Sequence, residues 1–195
     1  KYLLQKSALK QASGIITDSV ASKADIVKYV GYPESRVHVV PLAAGSISAT
    51  VALGRTIAKE YDLPERYILY VGDINWNKNI VGLIKAFSSI VDDKTQLVLV
   101  GKAFASKSNT PESIAINEAI SASPKKSLIK IVGFVPTHHL SAIYRGATLY
   151  VQPSWYEGFG FPVIEALIQG APVLSSNQGS LLEVGGENVH YFDPN

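Results

Sequence analysis

Short apolar runs rich in Val, Ile, Leu and Tyr alternate along the chain with segments of helical period, and this limits the fold more than any other feature. GIITDS precedes SKADIVKYVG, VHVVPL precedes VALGRTIAKEYDL, and YILYVGD precedes KNIVGLIKAFSSIV. The pattern continues through QLVLVGK, PESIAINEAISAS, LIKIVGFV, HHLSAIYRGA, TLYVQPS, FPVIEALIQG, APVLSS, SLLEVGG and VHYF. Helices between nearly continuous apolar strands imply a parallel sheet covered on both faces. The expected fold class is therefore α/β, with a doubly wound, Rossmann-like parallel sheet.

LAAGSISAT, from Leu42 to Thr50, is a small-residue stretch with little periodicity and reads as a linker. Residues 1–48 are then expected to be the end of a preceding α/β domain with its linker, and residues 49–195 a second doubly wound domain. In such sheets ligands bind beyond the carboxyl ends of the strands, which directs attention to the loops after YILYV, LVLV, IKIV and LYVQ.

With 195 residues, 47% of them hydrophobic, the chain can bury a core. Its 17% charged residues fall below the roughly 25% of soluble domains, as expected if part of the surface is covered in the native protein. A net charge of +2 from dispersed lysines and arginines excludes a nucleic-acid partner. The absence of cysteine excludes disulfide scaffolds and thiolate metal sites and fits a reducing, cytoplasmic setting. No leader and no apolar run of spanning length is seen. Methionine is absent even at position 1, and the chain stops at FDPN after a strand-like run, so a fragment cut at both ends is expected.

Three rim loops join a strand to glycine. In V71-GDINWNKN the strand ends at Gly72 and a helix is expected from Asn77 or Lys78, with Asn77 as its cap. A lysine at the positive end of a helix suits a bound anion; an exposed loop lysine accounts for it equally well. Gly101-Lys102 follows LVLV and gains weight only by sharing that rim. Gly133-Phe134-Val135-Pro136 offers backbone groups beside an aromatic ring, a seat for a flat base or simply a turn. His138 and His139 cannot easily turn to one metal, and a solvated surface is expected there.

The fourth loop is EGFGFPVIE, Glu157 to Glu165. Pro162 suits a helix start, which puts Gly158, Phe159 and Gly160 just before the helix N-terminus, where a diphosphate is favoured. Glu157 then lies in the loop and Glu165 about one turn into the helix. Each carboxylate can accept hydroxyls while the amides between them hold phosphate, the arrangement of groups in a nucleotide sugar. Solvated glutamates near a helix dipole are the plainer account, which the Gly-x-Gly and proline context disfavours here.

The stretch YVQPSWYEGFGFPVIEALIQGAPVLSSNQGSLLEVGG resembles the nucleotide-sugar site of the large retaining glycosyltransferase family often called family 4, of GT-B fold. Glu157 and Glu165, with seven residues between them, match its paired glutamates. YVGDINWNKN resembles its phosphate loop with Lys78 matching, and DSVASKADIVKYVGYPESRVHVVPL resembles the end of its N-terminal domain. The resemblance implies that Glu157 holds the transferred sugar's hydroxyls, Glu165 the ribose, Lys78 the diphosphate, and the Gly158, Phe159 and Gly160 backbone the sugar or phosphate. Gly72, Lys102 and Val135 complete the implied donor-binding set, and Lys78 and Glu157 are the implied catalytic pair. Glu183 matches a further acidic position, with a helix cap as an equal reading. Many members carry an arginine where this chain has Asp73.

The implied activity is transfer of a hexose from a nucleoside diphosphate sugar to an acceptor hydroxyl with retention, without metal or other cofactor. GDP-mannose is the favoured donor by analogy. The implied acceptors are glycans or lipid-linked sugars, the latter bringing peripheral membrane contact through an absent N-terminal half. The chain alone is expected to bind nucleotide weakly and to be inactive. A non-catalytic nucleotide-sugar-binding or interaction module is the alternative, kept open by Asp73. A dehydrogenase would need Gly-x-Gly-x-x-Gly after an early strand, which is not found.

Overall fold

The computed structural model describes residues 2–45, 51–90, 92–105 and 109–195. Most of the expected linker, residues 46–50, therefore lies outside the described residues.

The first part of the chain pairs two short parallel strands, β1 (Ile15–Thr17) and β2 (Val37–Val39). Helix α1 (Tyr2–Gln11) precedes them, and α2 (Val20–Asp25) continues into a π-helical turn over Ile26–Val30. Ser19 caps α2, its Oγ accepting from the Ser22 amide. Gly31, at φ 71°, ends the helical run.

The second part is a six-stranded, wholly parallel sheet. Its strands are β3 (Tyr67–Val71), β4 (Gln96–Val100), β5 (Ile129–Gly133), β6 (Leu149–Gln152), β7 (Val173–Ser176) and β8 (His190–Phe192), in spatial order β5-β4-β3-β6-β7-β8. Helix α3 (Val51–Glu60) leads into β3, and among the described residues six helices lie in the connections between strands: α4 (Ile80–Ser89), α5 (Lys102–Ala105), α6 (Pro111–Ala122), α7 (Thr137–Gly146), α8 (Phe161–Ile168) and α9 (Leu181–Gly185).

The period of two along each strand divides the apolar residues between two cores. Tyr67 and Leu69 of β3 and Val98 and Val100 of β4 pack with Ile57 of α3, Ile143 of α7, Val163 of α8 and Leu181 of α9. On the other face Tyr70, Leu97 and Leu99 meet Ile80, Leu83, Ile84 and Phe87 of α4 and Ile116 of α6. Leu69, Leu97, Leu99 and Ile143 are wholly buried, each contributing about 1.5–3 kcal/mol relative to exposure.

The chain enters the sheet at β3, steps outward through β4 to β5, and returns to lay β6 against the other side of β3. The connections leaving β3 and β6 therefore run to opposite sides, which opens a crevice at the carboxyl ends of these two strands.

Every strand and helical segment read from the alternation is present, but one boundary moves. The helix expected from Asn77 or Lys78 is preceded by a 3-10 turn over Trp76–Lys78, and α4 starts only at Ile80. Asn77 is not its cap. That place belongs to Asn79, in the left-handed region at φ 52°, whose Nδ2 donates to the Pro153 carbonyl at 3.1 Å. A contact across the crevice thus overrides local capping chemistry.

Candidate functional site

The loops leaving β3 and β6 are laced together across the crevice. Trp155 donates its amide to the Asn77 carbonyl at 2.8 Å, and Asn77 Nδ2 donates to the Tyr156 carbonyl at 2.9 Å. With the Asn79 bond to Pro153, these contacts set Lys78 opposite Glu157.

Lys78 Nζ lies 2.7 Å from Oε1 and 2.8 Å from Oε2 of Glu157. Oε1 also accepts from Ser154 Oγ at 2.7 Å and Gln152 Nε2 at 2.8 Å. Gln152 and Ser154 are fully buried, and the Glu157 residue is only 8% exposed. A charge so placed needs a cation and full hydrogen bonding, and it has both. Below it, Tyr150 Oη donates to Gln152 Oε1, which orients the amide so that its NH2 faces Glu157. Burial, together with the neighbouring carboxylates, pushes the Tyr70 and Tyr150 phenols well above their ordinary range, so both remain protonated donors.

The glycines before α8 have the geometry expected of them. Gly160 sits at the helix N-cap with φ 103°, and a Cβ there would meet Leu181 Cδ2 at 2.8 Å. Only glycine fits. Phe159 is buried with its ring edge-on to Phe161 at 5.1 Å, and Pro162 stands in the first turn. Ser180 Oγ lies within hydrogen-bond reach of the carbonyls of Glu157 (3.0 Å) and Phe159 (2.7 Å), its one proton shared between them.

Glu165 lies apart from Glu157, on the α8 face that meets α7. Tyr144 Oη donates to its Oε2 at 2.9 Å, and burial first, then Tyr150 and Glu165, keep this phenol protonated. Both residues border a small cavity of about 120 Å³ with Thr137, Ser141 and Gln169.

Gly72 and Gly101 close the ends of β3 and β4, their amides donating to the carbonyls of Val100 (3.0 Å) and Gly133 (2.9 Å). Lys102 is exposed and shares an open cleft with Gly72 and Asp73. Val135 turns its side chain into the core while Phe134 is 65% exposed. Asp73 is engaged within its own loop, accepting from the Ile74 amide at 2.9 Å and Asn75 Nδ2 at 3.4 Å.

Gln152, Ser154, Tyr144 and Ser180 were not singled out in the sequence; all are uncharged residues at buried positions, a pattern that composition does not mark. His139 departs from the expected solvated surface. It is half-buried, its ring 5.7 Å from that of Tyr61 and its Nδ1 3.0 Å from Tyr61 Oη. Among the described residues no group of three or more His, Cys, Asp or Glu is gathered to hold a metal ion.

The strand order is that of a doubly wound, Rossmann-like domain, and the comparisons with known proteins make it the C-terminal domain of a GT-B glycosyltransferase. The chain belongs to the family described as "Glycosyl transferases group 1", whose model matches residues 56–195. Among curated relatives, "O-antigen chain mannosyltransferase B" of Escherichia coli is 31% identical over 192 residues, covering 96% of this chain and 49% of the relative. "Serotype-specific mannosyltransferase WbdA" of Escherichia coli is 29% identical over 197 residues, covering 99% of this chain and 24% of the relative. The chain thus spans about half, or less, of the length of these relatives. Among solved structures, sucrose-phosphate synthase from Thermosynechococcus elongatus superposes with a TM-score of 0.83 at 27% identity, over 99% of this chain and 48% of that one. Anabaena Alr3699/HepE in complex with UDP and glucose superposes at 0.87 with 18% identity, over 99% and 53%, a likeness of fold.

Proposed function

We propose that the protein to which this chain belongs transfers a hexose from a nucleoside diphosphate sugar to an acceptor hydroxyl with retention of configuration, with mannose from GDP-mannose as the donor. The observation that carries this reading is the Lys78–Glu157 pair at the switch point. The mannosyltransferase names of the two Escherichia coli relatives support the choice of sugar. The UDP and glucose bound by the Anabaena protein support a nucleotide-sugar ligand in this fold.

In this reading Lys78 binds the diphosphate. An ammonium has three donors, and the two directed at Glu157 leave the third for a phosphate oxygen. As the sugar–oxygen bond breaks, negative charge grows on the leaving diphosphate, and Lys78 with the amides at the start of α8 stabilises it. Oε1 of Glu157 already accepts three hydrogen bonds and Oε2 one, so Oε2 is the oxygen that takes a sugar hydroxyl. Glu165, held by Tyr144, takes the ribose, while Gly72, Lys102, the Val135 backbone and residues 158–160 line the donor. The acceptor, a glycan or lipid-linked sugar, attacks from the face the diphosphate leaves. Its proton passes to the departing phosphate oxygen, so the chemistry needs neither a protein nucleophile nor a metal. Residues 1–48 are the end of an acceptor-side domain, and the protein works in the cytoplasm, at the membrane face when the acceptor is lipid-linked.

The test is an assay of the intact protein with GDP-mannose and UDP-glucose, following the product's anomeric configuration by NMR. Turnover of one donor with configuration kept supports the reading. Inversion overturns the mechanism, and the absence of transfer with binding intact favours a module that binds without turnover.

A further inference from the structure

Three successive carbonyls of the loop carrying Glu157 are held by serine hydroxyls. The single proton of Ser180 Oγ is shared between those of Glu157 and Phe159, and the one between them, Gly158, is held from elsewhere in the chain. Ser19 Oγ donates to the Gly158 carbonyl at 2.5 Å and Ser22 Oγ at 3.1 Å, across 139 and 136 residues. Both serines belong to the start of α2, in the part of the chain built on β1 and β2.

The start of α2 is itself held by the second part. Glu183, on α9, accepts from the Val20 amide at 2.8 Å through Oε2 and from the Ala21 amide at 3.0 Å through Oε1. Ser19 Oγ accepts from the next amide, Ser22, at 3.0 Å. The donors of the first helical turn are thus satisfied, two of them by a carboxylate more than 160 residues away. At the other end of α2, Tyr156 Oη donates to Asp25 Oδ2 at 2.5 Å.

We infer that Glu183 is a positioning residue: by fixing α2 against residues 156–158 it couples the seat of Glu157 to the orientation of the β1–β2 part of the chain. A rotation of that part must either carry the loop with it or break the contacts from Ser19, Ser22, Glu183 and Tyr156 together. The carboxylate suits the place because it meets the positive end of a helix with one oxygen for each of two adjacent amides. The coupling stands on these contacts alone, and its consequence for donor binding rests on the reading of Glu157 given above.

The test compares the wild-type chain with Glu183→Gln and, from the other side of the contact, Ser22→Ala. Amide hydrogen exchange is read at Val20 and Ala21, and at Ser180 and Trp155, whose amides donate to the Glu157 and Asn77 carbonyls. In Glu183→Gln, Val20 and Ala21 are expected to exchange about tenfold faster, with Ser180 and Trp155 losing protection alongside them while Leu97–Leu99 stay unchanged. Ser22→Ala is expected to loosen Ser180 and Trp155 in the same way. Affinity for the nucleotide sugar falls severalfold in both variants, while affinity for the nucleoside monophosphate is retained, a split that general destabilisation would not give. If Val20 and Ala21 open while Ser180 and Trp155 do not, Glu183 is only a local cap and the inference is overturned. If exchange follows the expectation but neither the wild-type chain nor either variant binds any nucleotide, the coupling stands and the donor reading fails.

Discussion

Asn79 and Pro153 meet across the switch point, the Nδ2 of one 3.1 Å from the carbonyl of the other, and this contact holds Asn79 in a left-handed conformation. An exposed asparagine would have capped α4 with its own side chain. Here it ties the β3 loop to the β6 loop and brings Lys78 onto Glu157. The site is therefore supported by contacts from beneath it as well as by the ion pair it displays.

The pair itself is accessible to a double-mutant cycle. Lys78→Met leaves Glu157 buried with only Gln152 and Ser154 as partners, so a loss on the order of 3 kcal/mol is expected in chemical denaturation. Adding Glu157→Gln should recover most of it, since the amide carries no charge to leave uncompensated. Additive losses would show that the two side chains are not coupled.

Gly179 is the tightest point behind the loop. A Cβ there would lie 2.5 Å from the Glu157 carbonyl oxygen and 3.0 Å from its nitrogen, and its φ is +60°. Gly179→Ala is expected to cost on the order of 3 kcal/mol in denaturation and to weaken nucleotide-sugar binding, because backbone rather than a flexible side chain must shift. An unchanged midpoint would mean that the loop has room the structure does not give it.

Tyr144→Phe removes the donor to Glu165 without altering packing volume. The expected loss is about 1.5 kcal/mol of stability, with nucleotide affinity reduced roughly tenfold if the orientation of Glu165 matters to the ribose. Calorimetry of both quantities on one variant separates the two effects.

Alkaline pH should unfold the chain through its buried tyrosines. Tyr70, Tyr144 and Tyr150 are raised well above the ordinary 10.0, chiefly by burial, so the folded state holds these protons more tightly than the unfolded chain. Their contribution is fully present below pH 10 and declines as pH rises above it. Phenolate absorbance should appear first from exposed tyrosines and from these three only with loss of circular dichroism. Titration of all tyrosines in a single step before unfolding would contradict this.

Much of the fold was legible because period and β-branched runs are local properties: the strands Tyr67–Val71 and Gln96–Val100 follow from pattern alone. The rim positions of Lys78 and Glu157 and the turn at Gly158–Gly160 before α8 were legible because charge, glycine and proline mark them in the sequence. The four-residue helix α5 is too brief to leave a pattern, and α1, although ten residues long, has no clear apolar stripe. The start of α4 was misread because Asn79 answers to Pro153, a partner 74 residues away. Gln152, Ser154 and Ser180 could not be singled out, since a buried polar residue differs from an exposed one only in what the fold brings to it. Glu183 showed its charge but not its use, which depends on the amides of Val20 and Ala21.

The most direct test of the central claim is a calorimetric titration of the chain with GDP, UDP and their sugar conjugates, run beside Lys78→Ala and Glu165→Ala. The account predicts saturable binding of one nucleotide, GDP by preference, weakened about tenfold or more by each substitution. Binding of neither nucleotide at millimolar concentration, or binding that Lys78→Ala leaves unchanged, would contradict it.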